Sequence, residues 1–512
     1  MIKKLIIIIL ILFPVVAFSA DYHIGPGQTY TSIANFTGWT SLAAGDHVYI
    51  HYATYAEHIL LCQSGTEENP IVIEGVPDGS GNLPILDGDN AVIPTQFDGH
   101  LPAVAYQGYG IVYIHRSYQD DAFGVEPEWI TIKNLEIKSA TPELYTFTNS
   151  EGTSAQAYPD ASAGIYIKTG NNITVENCII HDCGNGFDIQ GVDAPANNIT
   201  LRGCYIYGNG RTDARLDREH NSYTEAIGMV YEYNYFGPLR SGSGGIAIKD
   251  RSIGTVIRYN VIYSGARALD LVDTENIAGS GYDVLNDPNW GNDWVYGNVF
   301  INDENASILV AAQPFHYGYD NVAGGTRAGN LRFFNNTVYS NISSGTVYSY
   351  RIFDVSTSDE IVTLYNNAFI TVGTTTVYMA VSSLEAETGT FNWLGGNWIT
   401  TGYNQVYGGD TITWNENVSI LSGSNTGVLT DPANGDFTVL AGSPLLRAGV
   451  SLPSSITDYH PLLYEYLATR SYQSRVNTGD IGAFDYISPI LKRLRVGDKT
   501  INVAGKLVGI TQ

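Results

Sequence analysis

The stretch GIAIKDRSIGTVIRYNVIYSGARALDLVD, Gly245 to Asp273, gathers charge in a chain where only 15% of residues are charged. Lys249, Arg251 and Arg267 stand here beside Asp270 and Asp273, and upstream HNSYTEA brings His220, Asn221, Tyr223 and Glu225. A lysine accompanied by an arginine, a phenol and an imidazole is a set that can take a proton from the carbon next to a carboxylate. One group acts as base, a cation neutralises the carboxylate, and an acid protonates the departing oxygen. That chemistry is β-elimination, and uronic-acid polysaccharides undergo it. A lysine at its ordinary pKa of ~10.4 is mostly protonated at neutral pH, so the role of base asks for a neighbouring cation, Arg251 or a bound Ca²⁺. The bland alternative is a cross-coil ion pair between Lys249 and Asp270, worth under ~1 kcal/mol if exposed. Six such residue types converging is more than stability needs.

The elements that position these residues are strands. The 512-residue chain carries 36 Tyr and 55 Gly with 12% aromatic residues, a mixture that favours strands and tight turns. It opens on MIKKLIIIIL ILFPVVAFSA, which reads as a signal peptide over residues 1–20 and implies a secreted, periplasmic or cell-surface protein with no membrane attachment after cleavage. A net charge of −25 argues against nucleic acid as a partner and suits calcium or simple solubility. Four cysteines, at 62, 178, 183 and 204, are too few for a disulfide scaffold.

Self-similarity sets the architecture. ITVENCIIHD (173–182) matches ITLRGCYIYG (199–208), which places Cys178 over Cys204. The theme runs on through Asn234, Asn260, Asn298, Asn336 and Asn367, and starts at Asn134 in ITIKNLEI. Stacked coils with a repeated turn Asn, its amide bonding the next amide along, explain the pattern; an antiparallel sandwich has no use for it. Cys178 and Cys204 fall at the ladder position, as buried small residues or, alternatively, a disulfide.

With YHIGPGQTYTSI, SLAAGDHVYIH and GTEENPIVIEGVPDGSGNLPILDGDNA at the entry, and SPLLRAGV and TGDIGAFDY at the exit, the chain resembles the pectate-lyase-like superfamily. The resemblance covers about residues 21–486. It implies an all-β, single-stranded right-handed parallel β-helix with an Asn ladder and inserted loops, and a polysaccharide-degrading activity on an acidic polysaccharide. Alginate and chondroitin lyases of that superfamily place a Lys on one coil and an outward Arg on the next. The matching position here is about Val272, so Arg251 or Arg267 must substitute. Residues 487–512 are basic and lack the ladder, as a cap or tail.

Alternation sends Phe187, Ile189, Ile246, Ile248, Leu269 and Leu271 inward and leaves Asp188, Gln190, Lys249, Asp270 and Val272 outside. Aligned by pattern, Asp188 stacks on Ala247 and Asp270, and Gln190 on Lys249. The loop 209–228 overhangs this face and returns His220, Tyr223 and Glu225 to it. The expected roles are these: Lys249, Arg251, His220 and Tyr223 catalytic; Asn221, Glu225, Arg240, Arg267, His316 and Tyr317 on substrate; Asp188, Asp270 and Asp273 on Ca²⁺. The reading is a monomeric polysaccharide lyase. A glycoside hydrolase using Asp188 and Asp270, taken as two coils or ~10 Å apart, and a sugar-binding solenoid are the alternatives.

Overall fold

The computed structural model describes residues 19–486 except 102, 120–125, 193, 304–312, 321–326, 344–348, 383–387 and 409, together with the backbone of two paired strands, Arg495–Val496 and Lys499–Thr500. Most of the signal segment and of the basic C-terminal stretch lies outside the described residues. Among the described residues no helix is long and apolar enough to cross a membrane.

The coils stack their strands into three long sheets of 13, 12 and 11 strands, a full coil contributing one strand to each, and successive strands within each sheet pair in parallel. Alternating residues fill the interior in columns that climb through the coils. One runs Ile132, Val175, Leu201, Tyr231, Ile257, Val295, Phe333, Leu364 and Trp393. Every one of these is buried, and each contributes roughly 1.5–3 kcal/mol by leaving water. The antiparallel pairs of described strands sit outside this ladder of coils, as in Tyr464–Leu467 with Ser471–Ser474.

The Asn ladder is present, extended by one rung at Asn397 and lacking the expected rung at Asn134. Each Asn Oδ1 accepts the backbone N–H of the rung before it, from Asn234 through Asn260, Asn298, Asn336 and Asn367 to Asn397, at 2.9–3.0 Å. Asn134 is not a rung. It holds the left-handed position one residue earlier (φ 60°) and pairs with Asn177, while the buried Leu135 takes the ladder position. The bent backbone is therefore borne by the residue before the ladder Asn, at Asn177, Tyr233, Tyr259, Asn335 and Asn366. Cys178 and Cys204 do occupy rungs; the Cys178 amide donates to Cys204 Sγ at 3.4 Å, and Cys178, Cys183 and Cys204 are buried free thiols.

The site rests on six neighbouring strands of the 11-stranded sheet: β1 (Ala163–Ile167), β2 (Asn185–Ile189), β3 (Ser222–Thr224), β4 (Ile248–Asp250), β5 (Leu269–Val272) and β6 (Phe315–Gly318). Their register forms one outward column: Tyr166, Asp188, Tyr223, Lys249, Asp270 and His316. This corrects the expected stacking. Lys249 faces Asp270 directly, not Gln190, and Ala247 is interior. A slip of two residues keeps every side chain on its own face, so alternation alone cannot detect it.

Candidate active site

Lys249 leaves the outer face of β4 between two carboxylates, with Nζ 2.5 Å from Asp270 Oδ2 and 2.7 Å from Asp320 Oδ2. Arg251, the next outward residue, donates from NH2 to the same Asp320 oxygen at 2.6 Å, from NH1 to the Asp273 carbonyl at 2.6 Å, and from Nε to the Tyr223 hydroxyl at 3.0 Å. One strand therefore projects two cations that converge on a single carboxylate oxygen. The Tyr223 hydroxyl lies 3.5 Å from Glu275 Oε2, and burial raises its pKa, which keeps it a phenol.

Asp270 is the fixed anion beneath the pair. Besides Lys249 it receives Arg267 NH1 at 2.5 Å and His316 Nδ1 at 2.7 Å, and His316 Nε2 is anchored on Ser356 Oγ at 2.7 Å. Burial works to raise its pKa, but the charges of Lys249 and Arg267 and the His316 bond prevail and hold it well below the usual carboxylate range.

His220 arrives from the 209–228 loop, whose Arg211 pairs within the loop with Asp213 at 3.1 Å and Glu219 at 3.2 Å, and reaches out of it to Asp160 at 2.5 Å. The imidazole stacks on Tyr223 with ring centres 5.8 Å apart. Its Nδ1 accepts the Ile246 N–H at 3.0 Å, an amide that can only donate. Burial, reinforced by Lys249, pushes its pKa down to about 3. The ring is therefore neutral, with its proton on Nε2.

Several expected residues are placed elsewhere. Tyr317 points into the interior, where its hydroxyl bonds Asp293 at 3.2 Å. Asn221 is buried and donates to the Gly237 carbonyl. Arg240 leaves toward the Gly210 carbonyl and Asp182. Glu225 receives the amides of Glu275 and Ile277 at 2.7 Å each, so it anchors the segment that brings Glu275 to Tyr223.

The calcium set does not assemble. Asp188 lies three coils from Asp270, about 14 Å by strand spacing, with its oxygens taken by Asn185 and Gln190 at 2.6 Å each. Asp270 is saturated by cationic and imidazole N–H donors. Asp273 Oδ1 accepts the Asp320 amide at 2.6 Å, and its Oδ2 faces Arg251 at 3.6 Å. Calcium asks for roughly six to eight converging oxygens, and among the described residues no three His, Cys, Asp or Glu side chains gather to hold a metal. The same three-coil separation removes the Asp188–Asp270 pair as a hydrolase couple, since even an inverting pair spans less than ~10 Å.

Two members of the site are absent from the sequence reading. Asp320 reaches the cations because Gly318 ends β6 at φ +136°; a Cβ there would lie 2.7 Å from Glu360 Oε1. Beneath the site, Asp250 points inward and meets Arg327 at 3.1 Å, and Arg327 meets Asp293 at 2.6 Å, all three fully buried. The signal for Asp250 was present in IKDR, since strict alternation puts it in phase with Ile248 and a charge on that face requires a partner. Nothing in the sequence marks Arg327 as that partner.

A family model described as a right handed beta helix region matches residues 124–321. The chain is a right-handed parallel β-helix. No curated protein matches it in sequence. Solved structures similar to this β-helix include a pectate lyase (12% identity, 91% of this chain and 97% of that one, TM-score 0.47). Others are an alginate lyase from Paenibacillus sp. str. FPU-7 (13%, 75% and 95%, TM-score 0.36) and a lacto-N-biosidase from Eubacterium ramulus (12%, 78% and 68%, TM-score 0.36).

Proposed function

We propose that this β-helix is an exported polysaccharide lyase that cleaves a uronic-acid polysaccharide by β-elimination on the outer face of β3–β5. The observation that carries the reading is the convergence of Lys249 and Arg251 on one carboxylate oxygen, with the Tyr223 phenol bonded to the same guanidinium. A uronate carboxylate seated on Arg251 loses its charge there, which acidifies the proton on the adjoining ring carbon. Lys249 reaches this step as the free amine, its own proton having passed to solvent as the substrate displaces Asp320, and then takes the substrate's proton. Asp270, held by Arg267 and His316, then pairs with the ammonium. The electron pair of the broken C–H bond forms the double bond as the C4–O4 bond breaks, and Tyr223 gives its proton to the departing oxygen. His220 Nε2–H is a donor for a sugar hydroxyl.

The test is a panel of uronate polymers followed by the ultraviolet absorbance of the unsaturated product. Wild type should generate it and Lys249→Ala should not. New reducing ends without that absorbance would establish hydrolysis, and retention of polymer without cleavage would establish a binding solenoid. Because Arg251 supplies the neutralising charge, turnover should survive a calcium chelator; a requirement for added Ca²⁺ would refute that assignment.

A further inference from the structure

We infer that Asp320 is a resident occupant of the carboxylate seat, which a uronate must displace, and that the site selects carboxylate-bearing sugars by this exchange. The inference rests on that reading of the site, in which Arg251 seats the substrate's carboxylate, and adds that Lys249 stands beside the same seat as an ammonium before it gives up its proton and acts as base. Four carboxylates surround these cations, and they differ in how they are held. Glu275 is exposed but stands 3.7 Å from Arg251 Nε, on the Tyr223 side, and does not bridge the two cations. Asp270 is 2% exposed and bound by three partners through both oxygens. Asp273 is wholly buried. The Asp320 side chain is 36% exposed, and its contacts to both cations pass through the single oxygen Oδ2. Its backbone, by contrast, is fixed: the amide donates to Asp273 Oδ1 at 2.6 Å. Rotation about the side-chain bonds is enough to vacate the seat while the main chain stays in place.

The chemistry of the seat follows from what fills it. A carboxylate bridging an ammonium and a guanidinium on the outer wall of the coil is what a uronate residue would present. A neutral sugar cannot replace that charge, and would leave two cations beside the immovable Asp270. The exchange therefore costs a carboxylate ligand little and a neutral one much.

Calorimetric titration of a trigalacturonate and a trimannuronate, with cellotriose as the neutral control, tests this without reference to turnover. Asp320→Asn, which keeps the shape and removes the competing charge, should bind at least one uronate trimer about tenfold more tightly than wild type, with cellotriose unchanged. In the Lys249→Ala background the same substitution should give a much smaller gain, since the clamp is then incomplete. Should Asp320→Ser be needed because the Asn variant folds poorly, the expected direction is the same. Unchanged or weaker uronate binding, equal tightening toward cellotriose, or no uronate binding by either protein overturns the proposal. Tightening without any unsaturated product would uphold the exchange while refuting elimination. Product formation by wild type with no tightening in the variant would do the reverse.

Discussion

Tyr223 and His220 show how position fixes the role of a titratable group. The phenol is held protonated by burial and touches Arg251, so it is poised to donate. Tyr223→Phe should lower kcat by 10²–10⁴-fold, the usual worth of a positioned proton donor, with little change in KM; an unchanged kcat would move the acid elsewhere. Asp188 sits one step below Tyr223 in the same column, and burial raises its pKa to about 8. Its folded value lies above its ordinary one, so its stabilising contribution is complete at low pH and is lost as pH rises through about 8. Asp188→Asn should therefore gain stability over wild type at pH 9 and not at pH 4, as read by thermal melts.

At the scale of elements, two devices hold the coils in register beneath the site. The first is the ladder. Asn298 takes the Asn260 amide on Oδ1 and donates from Nδ2 to the Ile257 and Tyr296 carbonyls. Asn298→Ala would strand buried polar groups and should cost about 1–3 kcal/mol in denaturant unfolding. The second is Arg327, which enters the interior to pair Asp250 on β4 with Asp293 on the neighbouring sheet, and also donates to the Val272 carbonyl of β5. Arg327→Met leaves two buried carboxylates unpaired, and a loss of about 3–5 kcal/mol is expected. A loss below ~1 kcal/mol would show that the interior of these coils is wetter than the buried network implies. Because Asp250 lies between Lys249 and Arg251, the same variant should also weaken the outer clamp.

The molecule as a whole carries a set of buried acids with raised pKa values. Burial lifts Glu225 and Glu360 to about 7, Asp188 to about 8, and Glu465, with Asp485 beside it, to about 9. Each stabilises the fold while protonated and loses that contribution as pH climbs through its folded value. Burial acts oppositely on His58 and His460, lowered to about 4, and on His220; their contributions are present above the ordinary histidine value and fade as pH falls. Below neutrality the two sets work against each other, whereas above pH 7 Asp188 and Glu465 are the acids still in play. The melting temperature should accordingly fall between pH 7 and pH 9. Combining Asp188→Asn with Glu465→Gln should flatten that fall; an unflattened curve would place its origin in the surface charge of −25.

What the sequence by itself determined is periodic. Strand alternation, the recurring Asn and the matched Cys178 and Cys204 are local signals repeated many times, so the solenoid and the side of the strand from which Lys249 and Asp270 project were legible, whereas their burial, at 9% and 2% exposed, was not. The paired appearance of HNSY and KDRS on adjacent strands was legible for the same reason. The tertiary structure alone decided register and long-range partners. A two-residue slip conserves the in-and-out phase, so the stacking of Lys249 on Asp270 could only be read from the coils themselves. Asp320 and Arg327 reach the site from 71 and 77 residues beyond Lys249 and Asp250, brought there by coil winding that no local pattern encodes. The three aspartates expected to gather do not, on the same ground, since three aspartates sharing a face are not three aspartates sharing a point.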